Sequence, residues 1–327
     1  MKAWWVCDGP DGARLEQREV EVPQPGPGEL RIRVRAAALN RGEFLHSPSY
    51  ASNAEPRAAG SDCSGEVHAL GAGVGGWNVG ERVMGPARGA YAEYALIDRR
   101  LALAAPERLS WEEAAAAPIV FQVTHDMLWT QGHLGAGEWL LVTGISSGVG
   151  VACLQAAKLI GARVIGTSRS DDKLRRLRPL GLDVGIRTDS AEFSDAVLRA
   201  TGGAGADVVV NAVGGSFFAE CMRCMGRGAR LATVGYLDRT FRAEIDLNAL
   251  HAKRLHLFGV SARYRPVDER ANALREFARD LRPALADGRI RPLVDRVFPL
   301  ESLLEARAYM ESDRHVGKVV LGLAAGH

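Results

Sequence analysis

The stretch Glu138-Trp-Leu-Leu-Val-Thr-Gly-Ile-Ser-Ser-Gly-Val-Gly150 decides the fold. It opens as an apolar run of β-type residues and closes as a Gly/Ser turn. Val151-Ala-Cys-Leu-Gln-Ala-Ala-Lys-Leu-Ile-Gly161 then continues at helical period, and Ala162-Arg-Val-Ile-Gly166 supplies a second strand. Strand, small-residue turn, helix and strand make the opening βαβ unit of a dinucleotide-binding sheet. Small side chains let backbone N–H groups approach a pyrophosphate, whose charge then lies at the positive end of the helix. Gly144, Ser146, Ser147, Gly148, Val149 and Gly150 are read as that phosphate loop, the serines adding hydroxyl donors. The strict Gly-x-Gly-x-x-Gly spacing is not met, because Ile145 and Ser147 hold the first two glycine places. The setting between strand and helix carries the reading, and an ordinary βα turn packed on glycines is the alternative.

Outward from this unit, between about Trp111 and Val260, helices alternate with apolar strands over 139–143, 163–166, 184–186, 207–211, 230–234 and 255–260. That alternation predicts a doubly wound parallel sheet. Before about Leu101 the chain instead carries short alternating strands separated by Gly, Pro and Asn turns, the pattern of a mostly antiparallel barrel or sandwich. After Asp268 it predicts one amphipathic helix over 268–287, a short strand near Val297, a helix over 300–312 and a closing strand over 318–323, returning to the first domain. The expected division is 1–115 with 268–327 as one domain and 116–267 as the nucleotide-binding domain.

The bulk properties set bounds. A chain of 327 residues, 47% hydrophobic, has enough material for two cores. Basic residues exceed acidic ones by 41 − 39 = 2 and are scattered apart from the helical cluster Lys173-Leu-Arg-Arg-Leu-Arg178, so no nucleic-acid or membrane partner is demanded. No apolar run is long enough to span a bilayer, and the start lacks a signal-peptide pattern, which leads to the expectation of a cytoplasmic protein. The five cysteines form no framework of pairs, and Cys221-Met-Arg-Cys224 has no second Cys/His pair near it, so reduced thiols are expected.

Three further segments carry a resemblance. Pro23-Gln-Pro-Gly-Pro-Gly-Glu-Leu30, Ala59-Gly-Ser-Asp-Cys-Ser-Gly-Glu-Val-His-Ala-Leu-Gly-Ala-Gly-Val74 followed by Val79-Gly-Glu-Arg-Val83, and Arg314-His-Val-Gly-Lys-Val-Val-Leu321 are similar to signatures of the medium-chain dehydrogenase/reductase superfamily. The likeness spans essentially the whole chain and is nearest to its zinc-free quinone oxidoreductase branch, with the enoyl-thioester reductases as neighbours. It implies an α/β fold: a doubly wound parallel (Rossmann) sheet plus a GroES-like, mostly antiparallel β-barrel domain. Where zinc-dependent relatives need a Cys and a His as ligands, this chain has Leu39-Asn40-Arg41 and Ser61-Asp62, and the four-cysteine lobe is missing, so no metal is expected.

NAD-selective sites place an acidic residue after the second strand. Here that strand ends Gly166-Thr-Ser168-Arg169-Ser170, which points to NADPH, with Ser168, Arg169 and Lys173 holding the 2′-phosphate and Arg187 beside them. The family's tyrosine after the third strand corresponds to Thr188, a departure. Asn211, Val213 and Gly214 after the fourth strand, and Gly235 and Tyr236 after the fifth, stand where such sheets bind ligands, and Lys318 on the returning strand is a further cofactor candidate. Without a Lewis acid, hydride addition to an electron-poor quinone or enone is the easier chemistry. By resemblance, Asn40, Tyr50 and Thr124 are its catalytic candidates; plainer readings are a turn cap, a barrel aromatic and a helix back-bond.

His125 and Asp126 follow Thr124 where relatives carry a small residue and an aromatic, and they invite a proton-donor reading or a structural one. Phe217, Phe218, Tyr236 and Tyr264 are candidate aromatic walls, with core packing as the other possibility. The expected activity is NADPH-dependent reduction of a quinone or α,β-unsaturated carbonyl. An enoyl-thioester reductase with Tyr50 as proton donor is the runner-up, and a non-catalytic NADPH-binding protein the third reading. A homodimer is implied by the resemblance, through the apolar segment Leu255-His-Leu-Phe-Gly-Val260.

Overall fold

The computed structural model describes residues 1–9, 12–44, 56–262 and 265–323. It divides into two units, Met1–Ile119 with Val267–His327, and Val120–Pro266.

The first unit is built on strands β1 (Lys2–Gly9), β2 (Gly12–Glu19), β3 (Glu29–Ala38), β4 (Arg57–Ala58), β5 (Asp62–Leu70), β6 (Arg82–Pro86), β7 (Tyr94–Asp98) and β8 (Leu103–Ala104), followed by helix α1 (Trp111–Ala115). In β3 the sequence Leu-Arg-Ile-Arg-Val alternates buried aliphatics with outward arginines, so the strand has one core face and one wet face. It pairs antiparallel with β5 and β7, and register shifts after Arg31 and Val34 bend it. Helix α1 starts on a capping box, Ser110 accepting from the Glu113 N–H while Glu113 reaches back to the Ser110 N–H. It lays Ala115 and Ala116 against Ala36, Ala38 and Val320, a contact made close by small residues.

The second unit begins within helix α2 (Pro118–His125), which runs into a five-residue π-helical turn, Asp126–Thr130. It continues as β9 (Trp139–Thr143), α3 (Gly148–Ile160), β10 (Arg163–Ser168), α4 (Asp171–Leu177), β11 (Val184–Arg187), α5 (Ser194–Ala200), β12 (Ala206–Asn211), α6 (Gly215–Arg223), β13 (Met225–Thr233), α7 (Leu247–Ala252) and β14 (His256–Gly259). The strands form one parallel sheet in the order β11-β10-β9-β12-β13-β14. The order reverses between β9 and β12, so the crevice outside their carboxyl ends is the ligand position for this topology. Leu141, Ile165, Val209 and Leu231 from adjacent strands share a core with Phe193, Cys221, Met222 and Cys224. Cys221 and Cys224 are therefore packing residues, the Cys224 thiol donating to the Cys221 carbonyl at 3.3 Å.

The chain returns to the first unit through α8 (Val267–Asp280), α9 (Arg282–Asp287), β15 (Val294–Pro299), α10 (Leu303–Glu311) and β16 (Lys318–Gly322). Strand β16 pairs antiparallel with β3, which completes the sheet order β15-β16-β3-β5-β6-β8 with β7 also on β3. The single helix expected over 268–287 is two. Pro283 lacks an N–H and its ring clashes one turn back, so the first helix stops and a new one starts with proline in its first turn. Among the described residues no helix is long and apolar enough to cross a membrane.

Candidate active site

In the second unit, four strand ends converge on one crevice. After β9 the chain turns at Gly144, whose φ is +65°. Its N–H donates to Thr167 Oγ1 at 3.3 Å and the Ile145 N–H donates to the Thr167 carbonyl at 3.1 Å, pinning the loop to β10. Ser147 is the N-cap of α3, its hydroxyl accepting from the Gly150 N–H at 3.1 Å. A Cβ on Gly150 would lie 2.5 Å from the Ile145 carbonyl oxygen, so only glycine lets α3 pack this closely against its own loop. The α3 N-terminus, with Ser146, Gly148 and Val149 in its approach, is thus aimed into the crevice of the sheet.

Beside it β10 ends at Ser168, whose hydroxyl accepts from the Ser170 N–H at 3.3 Å, and Ser170 caps α4 by accepting from Lys173. Arg169 is exposed and Lys173 half-buried at this corner. Arg187, at the end of β11, is held by Asp189 at 3.0 Å and lies 3.9 Å from Asp171, so two carboxylates already answer its charge.

Past β12, Asn211 is fully buried and every polar atom of its amide is used by the loop. Its Oδ1 accepts from Thr143 Oγ1, the Val213 N–H and the Gly214 N–H, each at 3.1 Å, and its Nδ2 donates to the Gly214 carbonyl at 2.9 Å. Its place in the site is to shape the Val213-Gly214 backbone. Gly214 has φ +131°, and a Cβ there would meet Asp238 Oδ1 at 2.0 Å. Asp238 also takes the Ser216 N–H at 2.9 Å, tying the loop after β13 to the start of α6. A Cβ on Gly235 would be 2.9 Å from the Ala212 carbonyl oxygen. The Tyr236 ring sits 4.9 Å from Phe241. Gly150, Gly214 and Gly235 thus allow close approach of neighbouring segments at the strand ends, and the helix N-terminus held there suits an anionic dinucleotide.

Thr124 is buried, its hydroxyl 3.5 Å from the Cys153 thiol on α3. His125 and Asp126 face different partners. His125 stacks on Trp129 with ring centroids 5.4 Å apart, and Asp126, 3% exposed, is ion-paired with Arg265 and accepts from Gln131 Nε2 at 3.1 Å. Phe217 lies 5.3 Å from Phe193 and packs with Phe218 on the core, so neither is an aromatic wall. Tyr50 and Tyr264 lie outside the described residues.

The first unit holds a buried polar cluster that the sequence reading missed. Lys318, 5% exposed, donates to the Leu39 carbonyl at 2.7 Å and to Asn40 Oδ1 at 2.6 Å, so its ammonium is engaged inside its own unit. This turns Asn40 Nδ2 onto two carboxylates, Glu43 Oε1 at 3.3 Å and Asp62 Oδ2 at 3.3 Å. Glu43 also accepts from the Ser61 and Tyr91 hydroxyls. Burial pushes the Asp62 carboxyl up to about 8 against the pull of Lys318, and burial raises Glu43 as well. Burial lowers the Lys318 ammonium. Among the described residues no group of three or more His, Cys, Asp or Glu is arranged to hold a metal ion. The available signal was a carboxylate in apolar company, Asp62 between Ala58-Ala-Gly-Ser and Cys63.

A parallel sheet of this order with a glycine-built crevice, and a separate mostly antiparallel unit, make up the two-unit architecture of the dehydrogenase/reductase type. The alcohol dehydrogenase GroES-like domain matches residues 26–107 and the zinc-binding dehydrogenase domain matches residues 148–279. Quinone oxidoreductase-like protein 2 of Bos taurus is 30% identical over 274 residues, covering 82% of this chain and 77% of that protein. A phenolphthiocerol/phthiocerol polyketide synthase of Mycobacterium tuberculosis is 31% identical over 270 residues, 81% of this chain but 12% of that much longer protein. The solved structure of mycobacterial Rv1454c complexed with NADPH superposes with a TM-score of 0.88 at 28% identity, covering 98% of this chain and 100% of that one. The chain belongs to the medium-chain dehydrogenase/reductase superfamily, in its quinone oxidoreductase-like branch.

Proposed function

We propose that this protein is an NADPH-dependent reductase that delivers hydride, without a metal, to a quinone or an α,β-unsaturated carbonyl. The observation that carries the reading is the crevice at the β9/β12 switch point, where Gly150 brings a helix N-terminus to the ends of parallel strands and β10 ends in Ser168-Arg169 rather than an acidic residue. The NADPH complex of mycobacterial Rv1454c supports it. In this reading residues 116–267 bind the cofactor, and residues 1–115 with 268–327 are the substrate domain.

When bound, NADPH supplies a hydride. The chain's own residues do the rest. The α3 N-terminus with Ser146 and Ser147 neutralises the pyrophosphate. Ser168, Arg169 and Lys173 would take the 2′-phosphate, with Arg187 beside them already answered by Asp189 and Asp171. Asn211 holds the Val213-Gly214 backbone in place, and Gly235 lets the loop after β13 pass close to the Ala212 carbonyl. Asn40, fixed by Lys318, offers amide hydrogens in the other unit. The third reading, a non-catalytic NADPH-binding protein, would show as retained NADPH binding with no turnover on any acceptor.

The relatives among polyketide synthases favour one alternative acceptor, an enoyl thioester. The edge position of β14 supports pairing of two chains along His256–Gly259 into a homodimer. Calorimetric titration with NADPH and NADH separately tests the cofactor choice. Binding of NADPH at least about tenfold tighter is expected; equal affinity or a preference for NADH overturns it.

A further inference from the structure

Within the second unit, the turn that follows β13 does not stay over its own strand. Leu237 Cδ1 lies 3.2 Å from where a Cβ on Gly144 would stand, beside Val213 Cγ2 at 3.6 Å. Gly144 closes β9, two strands away in the order β9-β12-β13, so turn and side chain together reach about 10 Å across the carboxyl ends of the strands. Asp238 holds the turn there. Its N–H donates to the Val213 carbonyl at 2.9 Å, its Oδ1 accepts from the Thr240 N–H at 2.8 Å, and its Oδ2 accepts from the Ser216 N–H at 2.9 Å and from the Ser216 hydroxyl. Arg239, in the left-handed region at φ +58°, closes the turn by donating its N–H to the Tyr236 carbonyl at 3.1 Å. The Gly215 N–H goes to the Thr240 carbonyl at 2.9 Å and the Phe217 N–H to the Gly214 carbonyl at 3.3 Å. With Ser216 on Asp238, the first three N–H groups of α6 are taken by protein acceptors, and α6 does not compete with α3 for the pyrophosphate.

We propose that Asp238 is a positioning residue for the nicotinamide half of the cofactor: it latches the 236–240 turn onto the start of α6 and so sets Leu237, with Val213, as an apolar wall beside Gly144. This rests on the dinucleotide reading of the crevice above. The sheet order decides which half is meant. With the pyrophosphate at the α3 N-terminus beyond β9 and the 2′-phosphate at the end of β10, the adenosine lies on the β10 side. The other mononucleotide then lies over β12 and β13, where the latch is. A nicotinamide ring gains from contact with aliphatic side chains, and Leu237 keeps its place only while the turn stays latched. An amide instead of the carboxylate sets an N–H donor against either the Thr240 N–H or the Ser216 donors, so Asp238→Asn opens the latch with little change in size.

Calorimetric titration of the full chain with NADPH, and separately with adenosine 2′,5′-bisphosphate, which carries the adenosine and the 2′-phosphate but no nicotinamide, tests the proposal. Asp238→Asn and Leu237→Ala are each expected to weaken NADPH binding about tenfold, the scale of one or two net hydrogen bonds, and to leave the affinity for the bisphosphate unchanged. Leu237→Ala removes no hydrogen bond of the latch, so it carries the test if Asp238→Asn does not fold. A loss that falls equally on both ligands is what a general structural role gives, and it overturns the proposal. So does wild-type affinity for NADPH in either folded variant. A wild type that binds neither ligand fails the dinucleotide reading itself, and the positioning role falls with it.

Discussion

At the residue scale, single atoms decide whether this crevice exists. Gly150→Ala places a methyl 2.5 Å from a backbone oxygen that cannot move aside without shifting α3. A loss of about 1–3 kcal/mol in stability is expected from such overpacking, together with weakened NADPH binding; denaturant unfolding and nucleotide titration check both. Ser168→Asp places an acceptor for the ribose hydroxyl and a charge against the 2′-phosphate at the end of β10. It should reverse the NADPH over NADH preference, and unchanged selectivity would show that the phosphate sits elsewhere. Legibility at this scale was uneven. Gly144, Gly150 and Gly235 stood out because a left-handed turn at Gly144 and close backbone approach at Gly150 and Gly235 demand a missing side chain, a requirement that local pattern records. Glu43, Ser61, Asp62, Tyr91 and Lys318 were not visible as a cluster, because residues separated by up to 275 positions meet only when β16 returns beside β3. Lys318 looked like a cofactor ligand for the same reason: a lysine's reach can be read from sequence, its partner cannot.

At the scale of elements, hydrophobic period marked the central strands β9, β10 and β12 to within two residues, since strands buried on both faces must be apolar throughout, whereas β13 begins at Met225, five residues before the expected start. The helix expected over 268–287 broke at Pro283, where amphipathic period outvoted a residue that ends helices. Phe217 and Phe218 turned inward because α6 has to bury one face against the sheet, and their aromatic character carried no directional signal. The π-helical turn Asp126–Thr130 is tied down by the Asp126–Arg265 pair, both within the second unit. Asp126→Asn leaves Arg265 without its counter-charge and should cost about 3 kcal/mol, seen as a lowered unfolding midpoint. A variant as stable as wild type would mean the pair is structurally idle.

At the scale of the whole molecule, the alternation of elements called for a doubly wound parallel sheet, while its order, β11-β10-β9-β12-β13-β14, and with it the second unit's ligand position, came from the structure. Acceptor identity does not follow in the same way, because it is set by loops whose shape no period encodes. Two outcomes belong here. Metal analysis of the purified protein should find no stoichiometric zinc, since Asn40 and Ser61 offer neither thiolate nor imidazole where the zinc-dependent branch has its ligands. Light scattering at micromolar concentration should give the mass of a dimer; a monomer would contradict pairing along β14.

The most direct test of the central claim is the initial rate of reduced-nicotinamide consumption, with NADPH and NADH each offered against an ortho-quinone and an enoyl-CoA. The account predicts rapid, NADPH-selective reduction of the quinone. Turnover of the enoyl-CoA alone, or a preference for NADH, would contradict it.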